Sequence, residues 1–335
     1  MKISIAVFDF TDCEIEQQMC ARAGIQLEWH DAQTSQEIIQ AAKGSDALIT
    51  SYGPITREVI EALSPELKMI SRTGVGVDNI DIQAATDCGV LVCNVPGYGT
   101  EVVSDHAIAL TLACLRRINE QDANLRNGIW DYARTRPLGQ CRGKRFGVVG
   151  MGAIGRATAR KAAAMGFQVV CWSRSLEGKE DACEGFPALS LKDLLATSHV
   201  VSIHTALTPD TFHLISQEAL MSMREDAILV NTSRGSVVDV EALAAELQRG
   251  RLWGAGLDVY ESEPLEKDAA ILSAPRTVLT PHAAYWSEES GVELRTRACQ
   301  AAIDALQGKM PQDCLNPEAV KFQETKAQKE SVGKL

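Results

Sequence analysis

Three polar clusters in the second half of the chain hold side chains able to do acid–base and electrostatic work. They are Asn231-Thr232-Ser233-Arg234-Gly235, Asp258-Val259-Tyr260-Glu261-Ser262-Glu263-Pro264 and Thr280-Pro281-His282-Ala283-Ala284. Each follows a short apolar run that reads as a strand, so each lies just past a strand's carboxyl end, where parallel α/β sheets place their ligands. An arginine, a histidine and a glutamate delivered by three such loops suit hydride transfer to a carbonyl. Hydride arriving at the carbon leaves alkoxide character on the oxygen, which calls for a proton donor and a fixed positive charge. A carboxylate beside an imidazole favours the ring that carries the proton. Glu261 and Glu263 both qualify as that carboxylate.

A second signal accounts for the hydride source. Gly150-Met151-Gly152-Ala153-Ile154-Gly155 is a GxGxxG that follows the apolar run 146–149 and opens a helical pattern over 153–165. In that setting the first glycine makes the tight turn, the second lets backbone approach a pyrophosphate, and the third lets helix and strand pack closely. The helix N-terminus presents N–H groups and a positive dipole end to the phosphates. The next strand, 168–172, ends in Ser173-Arg174-Ser175, where NAD sites usually carry an acidic residue for the ribose hydroxyl. With no local carboxylate and a guanidinium fork that matches phosphate, these residues predict NADP(H) in preference to NAD(H).

The elements that position these residues are two stretches of strand–helix alternation. The first places strands at 3–8, 47–50, 67–71 and 90–92, with helices at 14–23 and 56–63. The second places strands at 145–149, 168–172, 199–204, 227–231, 254–258 and 277–279. One long, largely apolar helix from 101 to 116, continuing toward 125, joins them, and a last helix spans 289–306. The expected fold class is α/β, with two Rossmann-like, doubly wound parallel-sheet domains. The tail from residue 323 is polar and reads as frayed.

Composition narrows the partners. Lys and Arg number 33 against 44 Asp and Glu, a net charge of −11. That balance argues against nucleic-acid backbone binding and against docking on an anionic membrane surface. The N-terminus lacks a signal-peptide cleavage pattern, and the longest apolar run is about half of what a membrane span needs. Ten cysteines without a CxxC, and six histidines without metal-ligand spacing, suggest reduced thiols in a cytoplasmic protein with no metal site.

Read together, these segments resemble the D-isomer-specific 2-hydroxyacid dehydrogenase family over nearly the whole length. Thr73-Gly74-Val75-Gly76-Val77-Asp78-Asn79-Ile80-Asp81 is similar to its substrate-loop signature. Asn94-Val95-Pro96-Gly97 and Val102-Val103-Ser104-Asp105-His106 resemble its interdomain hinge, with Asp105 where the family more often has Glu. The resemblance implies that Arg234 anchors the substrate carboxylate and polarises the keto oxygen, that His282 is the acid–base, and that Glu263, before Pro264, is its carboxylate partner. It further implies that Asp258 faces the nicotinamide carboxamide, that Thr205, Thr232, Ser233 and Ala284 lie along the cofactor, and that Val75 and Gly76 give N–H groups to the substrate. His106 is expected to support the hinge, and His204 to be structural. Tyr52, Tyr98, Tyr285 and Trp286 are loop aromatics expected to border the cleft, and no Lys/Arg cluster accompanies the first-domain loops. A medium-sized or apolar substrate side chain follows, with glyoxylate and hydroxypyruvate within range.

The implied organisation is a substrate domain of residues 1–99 and 285–335 interrupted by a dinucleotide-binding domain of residues 100–284. A homodimer would cover the apolar helix from Glu101 and the arm near Trp130. The stretch Pro281-His282-Ala283-Ala284-Tyr285-Trp286-Ser287-Glu288-Glu289 is similar to the subgroup related to the C-terminal-binding proteins. That likeness supplies a competing expectation, a cofactor-sensing protein-binding module of the corepressor type.

Overall fold

The computed structural model describes residues 1–176 and 183–320. Residues 323–335, expected as a frayed tail, lie outside the described residues. The chain divides into two compact units. One is Met1–Tyr98 together with the chain from Ser287 onward, and the other is Gly99–Trp286.

The first unit is a five-stranded sheet of β1 (Lys2–Ala6), β2 (Gln26–His30), β3 (Ala47–Thr50), β4 (Met69–Arg72) and β5 (Leu91–Cys93). The strands are all parallel, in the order β2-β1-β3-β4-β5. The run Ala-Leu-Ile-Thr of β3 is buried at every position, as a strand covered on both faces must be. Ile38, Leu48, Val59, Ile60 and Ile70 fill one side of the sheet. Ile3, Ile5, Ile49, Met69 and Ile303 fill the other, so the C-terminal helix Glu288–Leu306 belongs to this unit's core. Arg295 fastens that helix: its Nη2 donates to Glu16 Oε2 at 2.7 Å and to Asp12 Oδ1 at 2.8 Å.

The second unit contains six parallel strands, β6 (Arg145–Val149), β7 (Gln168–Trp172), β8 (Val200–Ile203), β9 (Ile228–Asn231), β10 (Gly254–Leu257) and β11 (Thr277–Leu279). Their order is β11-β10-β9-β8-β6-β7. Because β6 sits between β7 and β8, the strand order reverses there and opens a crevice at the carboxyl ends. The helix Thr100–Arg116 packs on this sheet through Ala107, Leu110, Cys114 and Leu115. It comes so close that a Cβ on Gly256 would stand 2.8 Å from Leu110 Cβ.

The structure adds elements that the sequence expectation left out, the helices Ile82–Cys88 and Val240–Gln248 among them, and divides one that it joined. β2 and the helix Ser35–Ala42 occupy a stretch left without elements. β2 is an edge strand, Gln-Leu-Glu-Trp-His, with a half-exposed pattern that lacks an apolar run. The single long helix is two: the first ends at Arg117, which takes a left-handed φ of 50°, and a second spans Ile118–Arg126.

Candidate active site

The crevice in the second unit gathers the glycine-rich turn, the end of β7 and the end of β8. Gly150, at φ 101°, permits the turn, and a Cβ there would meet the His204 backbone at 2.7 Å. A Cβ on Gly155 would stand 1.9 Å from the Gly150 carbonyl oxygen, so helix and turn touch through bare backbone. Gly152 differs: a Cβ there meets no protein atom within 4 Å. Its hydrogen faces open space at the start of the helix Ala153–Ala164, whose first turn carries no side-chain cap. Gly152 and Ala153 are exposed and Ile154 is half-buried. Uncapped N–H groups with an open approach fit a phosphate.

Two hydroxyls in this unit add to the fit. Thr205 Oγ1, after β8, and Thr232 Oγ1, after β9, are buried without a hydrogen-bond partner. Buried donors of this kind call for a ligand or a bound water. His204 Nδ1 is likewise buried without a partner, while its Nε2 contacts Ser202 Oγ at 2.8 Å. Burial pushes the His204 imidazole down to about 4. At the end of β7, Ser173 and Ser175 share a hydrogen bond of 3.0 Å. Arg174 pairs with Asp210 at 2.9 Å, both side chains more than 60% exposed. The carboxylate absent from this strand end in sequence is thus supplied by a distant loop.

The three catalytic-type clusters come together on the loops after β9, β10 and β11. Asn231, fully buried at the end of β9, shapes the first loop: its Oδ1 accepts from Ser233 N–H at 3.0 Å and its Nδ2 donates to the Arg234 carbonyl at 2.9 Å. Arg234 is half-buried and its Nη1 donates to the Ser233 carbonyl at 3.0 Å. Gly235 then lies flat against the second loop, where a Cβ would be 1.9 Å from the Tyr260 carbonyl carbon.

On that second loop Glu263 is pinned at both oxygens. Oε1 accepts from the Tyr260 N–H at 2.9 Å, and Oε2 lies 2.6 Å from His282 Nδ1. Burial alone would raise the Glu263 carboxyl. The hydrogen bond and charge of His282, the Tyr260 amide and the Arg234 guanidinium outweigh it and hold the group below its ordinary value. Glu261 is engaged elsewhere, 3.1 Å from His213 Nε2. The choice between the two glutamates is therefore a matter of geometry: only Glu263 meets His282.

His282 occupies a left-handed backbone conformation, φ 51°, a costly state for a non-glycine residue that persists where the surroundings over-determine it. Here the determinant is Asp258. Its Oδ1 accepts from the Ala283 N–H at 2.9 Å and from the Thr280 hydroxyl, and its Oδ2 accepts from the Ala284 N–H at 2.9 Å. The Asp258 carbonyl takes the His282 N–H at 2.8 Å. Asp258, expected to face a nicotinamide carboxamide, holds the histidine loop with both of its carboxylate oxygens. Its side chain is 1% exposed and is committed to folding the histidine loop. Ala284 is buried, with its N–H given to the same carboxylate. His106 Nε2 lies 3.0 Å from Thr280 Oγ1, so it braces this loop from the helix Thr100–Arg116. Tyr285 stands edge-on to His282, with ring centroids 6.0 Å apart.

In the first unit, the loop after β4 carries Val75, which is exposed, and Gly76, which is half-buried. Asn94 Nδ2 holds the Val75 carbonyl at 2.6 Å, and the Val95 N–H holds the Gly74 carbonyl at 2.9 Å. The residue that sequence reasoning missed is Arg72. It is only 4% exposed, donates from Nη1 to the Thr73 carbonyl at 2.8 Å, and stacks 5.0 Å from the Tyr52 ring centroid. Gly74, at φ 151°, is required beside it, since a Cβ would fall 1.1 Å from Arg72 Nη1. The first-unit loop therefore has a cation beneath it. Its signal was present in sequence as the last residue of β4, one position beyond the strand expected there.

A doubly wound sheet with an open glycine-rich turn, next to loops that pair an imidazole with a carboxylate, defines a nucleotide-dependent oxidoreductase. Residues 108–284 match the D-isomer specific 2-hydroxyacid dehydrogenase NAD-binding domain. A glyoxylate reductase of Korarchaeum cryptofilum is 40% identical over 288 residues, spanning 85% of this chain and 86% of that protein. Among solved structures, an acyclic imino acid reductase in complex with NADPH and D-Arg superposes with a TM-score of 0.84 at 27% identity, over 94% of this chain and all of the other. A D-lactate dehydrogenase of Aquifex aeolicus, complexed with NAD and lactic acid, gives 0.82 at 26% identity, over 95% and 97%. The chain belongs to the D-isomer specific 2-hydroxyacid dehydrogenase family, and is an NAD(P)-dependent enzyme of that class.

Proposed function

We propose that this enzyme reduces a small 2-keto acid to the D-2-hydroxy acid, with NADPH as the preferred cofactor, NADH as the alternative, and His282, Glu263 and Arg234 as its catalytic residues. The observation that carries the reading is the 2.6 Å contact between His282 Nδ1 and Glu263 Oε2, on a loop that Asp258 folds. Holding Nδ1 turns the opposite nitrogen, Nε2, outward along the ring axis, and from there His282 delivers a proton to the keto oxygen. Arg234 supplies the fixed positive charge that oxygen needs as it becomes an alkoxide. The bound nicotinamide supplies the hydride. Gly150, Gly152, Ala153, Ile154 and Gly155 would hold its pyrophosphate, while Thr205, Thr232 and Ser233 offer hydrogen bonds. Val75, Gly76, Tyr52 and Tyr285 are the residues assigned to substrate.

The preference for NADPH rests on Ser173, Arg174 and Ser175. Asp210 does not argue against it. An exposed ion pair is worth only about 0–1 kcal/mol, and a 2′-phosphate offers Arg174 a doubly charged, bidentate partner in its place. The enzyme is proposed to work in the cytosol as a homodimer, the exposed Ile118, Leu125, Trp130 and Tyr132 being the apolar surface a second copy would cover.

Turnover of a panel of 2-keto acids, glyoxylate and hydroxypyruvate included, with NADPH and with NADH tests the proposal. Reduction of at least one acid, with kcat/KM higher for NADPH, is expected. Arg174→Ala should raise KM for NADPH by about tenfold, a loss near 1.4 kcal/mol, with little change for NADH. A wild-type preference for NADH would overturn the cofactor assignment, and failure to reduce any 2-keto acid would overturn the function.

A further inference from the structure

Away from the nucleotide crevice and the histidine loop, the first unit holds a pair of facing free cysteines. Cys93 ends β5, and Cys314 lies on the segment that returns after the helix Glu288–Leu306. The two face each other across an isolated antiparallel bridge. The Leu315 N–H donates to the Val92 carbonyl at 2.8 Å, which makes the facing cysteines a non-hydrogen-bonded pair. In such a pair the Cα atoms stand ~4.5 Å apart, within the ~4.4–6.8 Å that a disulfide spans.

The returning segment is held in that register from both sides of Cys314. Buried Asn316 accepts the Val92 N–H at 2.7 Å and donates to Thr86 Oγ1 at 3.0 Å and to the Val90 carbonyl at 2.9 Å. Asp313 takes Arg297 at 3.0 Å. The register thus sets the two cysteines opposite each other at a spacing a disulfide can span.

Access and ionisation are divided between the partners. Cys93 is fully buried, whereas Cys314 is partly exposed. The contact with the Cys93 thiol and the N–H groups of Asn316 and Val92 outweigh burial and bring the Cys314 thiol down to about 7, while the same contact and burial raise Cys93. The other close pair, Cys20 and Cys299 with sulfurs 3.9 Å apart, is buried at both ends and offers solvent no entry.

We propose that Cys93 and Cys314 form a thiol–disulfide exchange site, oxidised by a small-molecule disulfide of the glutathione type, that staples the returning segment to β5. The Cys314 thiolate attacks one sulfur of the oxidant, forming a mixed disulfide and releasing one thiolate, which takes up a proton. Cys93 then gives up its proton and attacks the Cys314 sulfur, expelling the second small thiol. Two protein thiols are oxidised to one S–S bond, and one small disulfide is reduced to two thiols.

The test incubates the full chain with oxidised glutathione, blocks remaining thiols by alkylation and maps the peptides by mass spectrometry. Expected are a Cys93–Cys314 linked peptide, the loss of two alkylatable thiols, and faster migration on a non-reducing gel because the link encloses residues 94–313. Dithiothreitol should reverse all three. Cys314→Ser should abolish the link and Cys20→Ser should retain it. Cys93→Ser should stop at a glutathione adduct on Cys314, and if that variant does not fold, Cys314→Ser still decides. A stable adduct on Cys314 of the wild type without a cross-link, a Cys20–Cys299 link in its place, or an unchanged thiol count would overturn the proposal.

Discussion

His282–Glu263 and His213–Glu261 are two imidazole–carboxylate contacts in one unit, with glutamates two residues apart, yet they are built for different ends. Both histidines take a left-handed backbone, φ 51° and 46°. His282 meets its glutamate through Nδ1, the nitrogen nearer the backbone, so the outer edge of the ring points away from the carboxylate. His213 reaches Glu261 with the outer nitrogen, Nε2, and lies stacked on Phe212 at 4.1 Å between centroids. Its own N–H is bound to the Ser236 carbonyl at 2.8 Å. The second pair clips two loops together, and the first aims a ring. A carboxylate beside a histidine is therefore no signature of acid–base chemistry until the bonded nitrogen is known.

Mutation should separate the pairs by orders of magnitude. His282→Ala is expected to lower kcat for 2-keto acid reduction about 10³-fold, with NADPH affinity unchanged in a fluorescence titration. An equal loss in His213→Ala would break the distinction. Glu263→Gln keeps the shape but loses the charge, and should cost about 10²-fold in kcat, within the range for groups that orient a proton-transferring ring. Glu261→Gln should leave kcat within about threefold, since its contact is exposed and of the kind worth at most ~1 kcal/mol.

The Glu263 carboxylate should also show itself in acid. The Glu263 carboxyl is held below its ordinary value of 4.5. A depressed carboxyl stabilises the fold above its unfolded-state value and loses that contribution as pH falls through the native one. Denaturant unfolding from about pH 5 down to about pH 3 should therefore show a steeper loss for the wild type than for Glu263→Gln. Parallel curves would mean that the pair does not favour the charged carboxylate. The smallest expected effect is that of His213→Ala on stability, ~0.5–1 kcal/mol in the same assay.

Much of this site could be read from residue order because its constraints are local. A glycine triplet between an apolar strand and a helix, and polar clusters placed just after strands, carry their geometry in a few consecutive positions. What escaped depends on partners distant in the chain. Asp210 reaches Arg174 across 36 positions. Nothing in the neighbourhood of Asp258 reveals that the amides of Ala283 and Ala284 will close on it. Arg72 lies one position past the strand expected at 67–71, and nothing local shows that Tyr52 and Gly74 will close around it. β2 and the break at Arg117 escaped for the opposite reason. An edge strand with alternate polar residues and a helix interrupted at an arginine, without glycine or proline, leave weak local marks.

Gly235 has a consequence for how variants of this enzyme are made. With no room for even a methyl group between it and Tyr260, the arginine loop and the glutamate loop are complementary surfaces shaped to each other. A chimera that borrows residues 258–263 from a relative without residues 231–235 would join halves with mismatched contours. Library design does better to treat the two segments as one exchangeable cassette and to seek new substrates by varying the loop that follows β4.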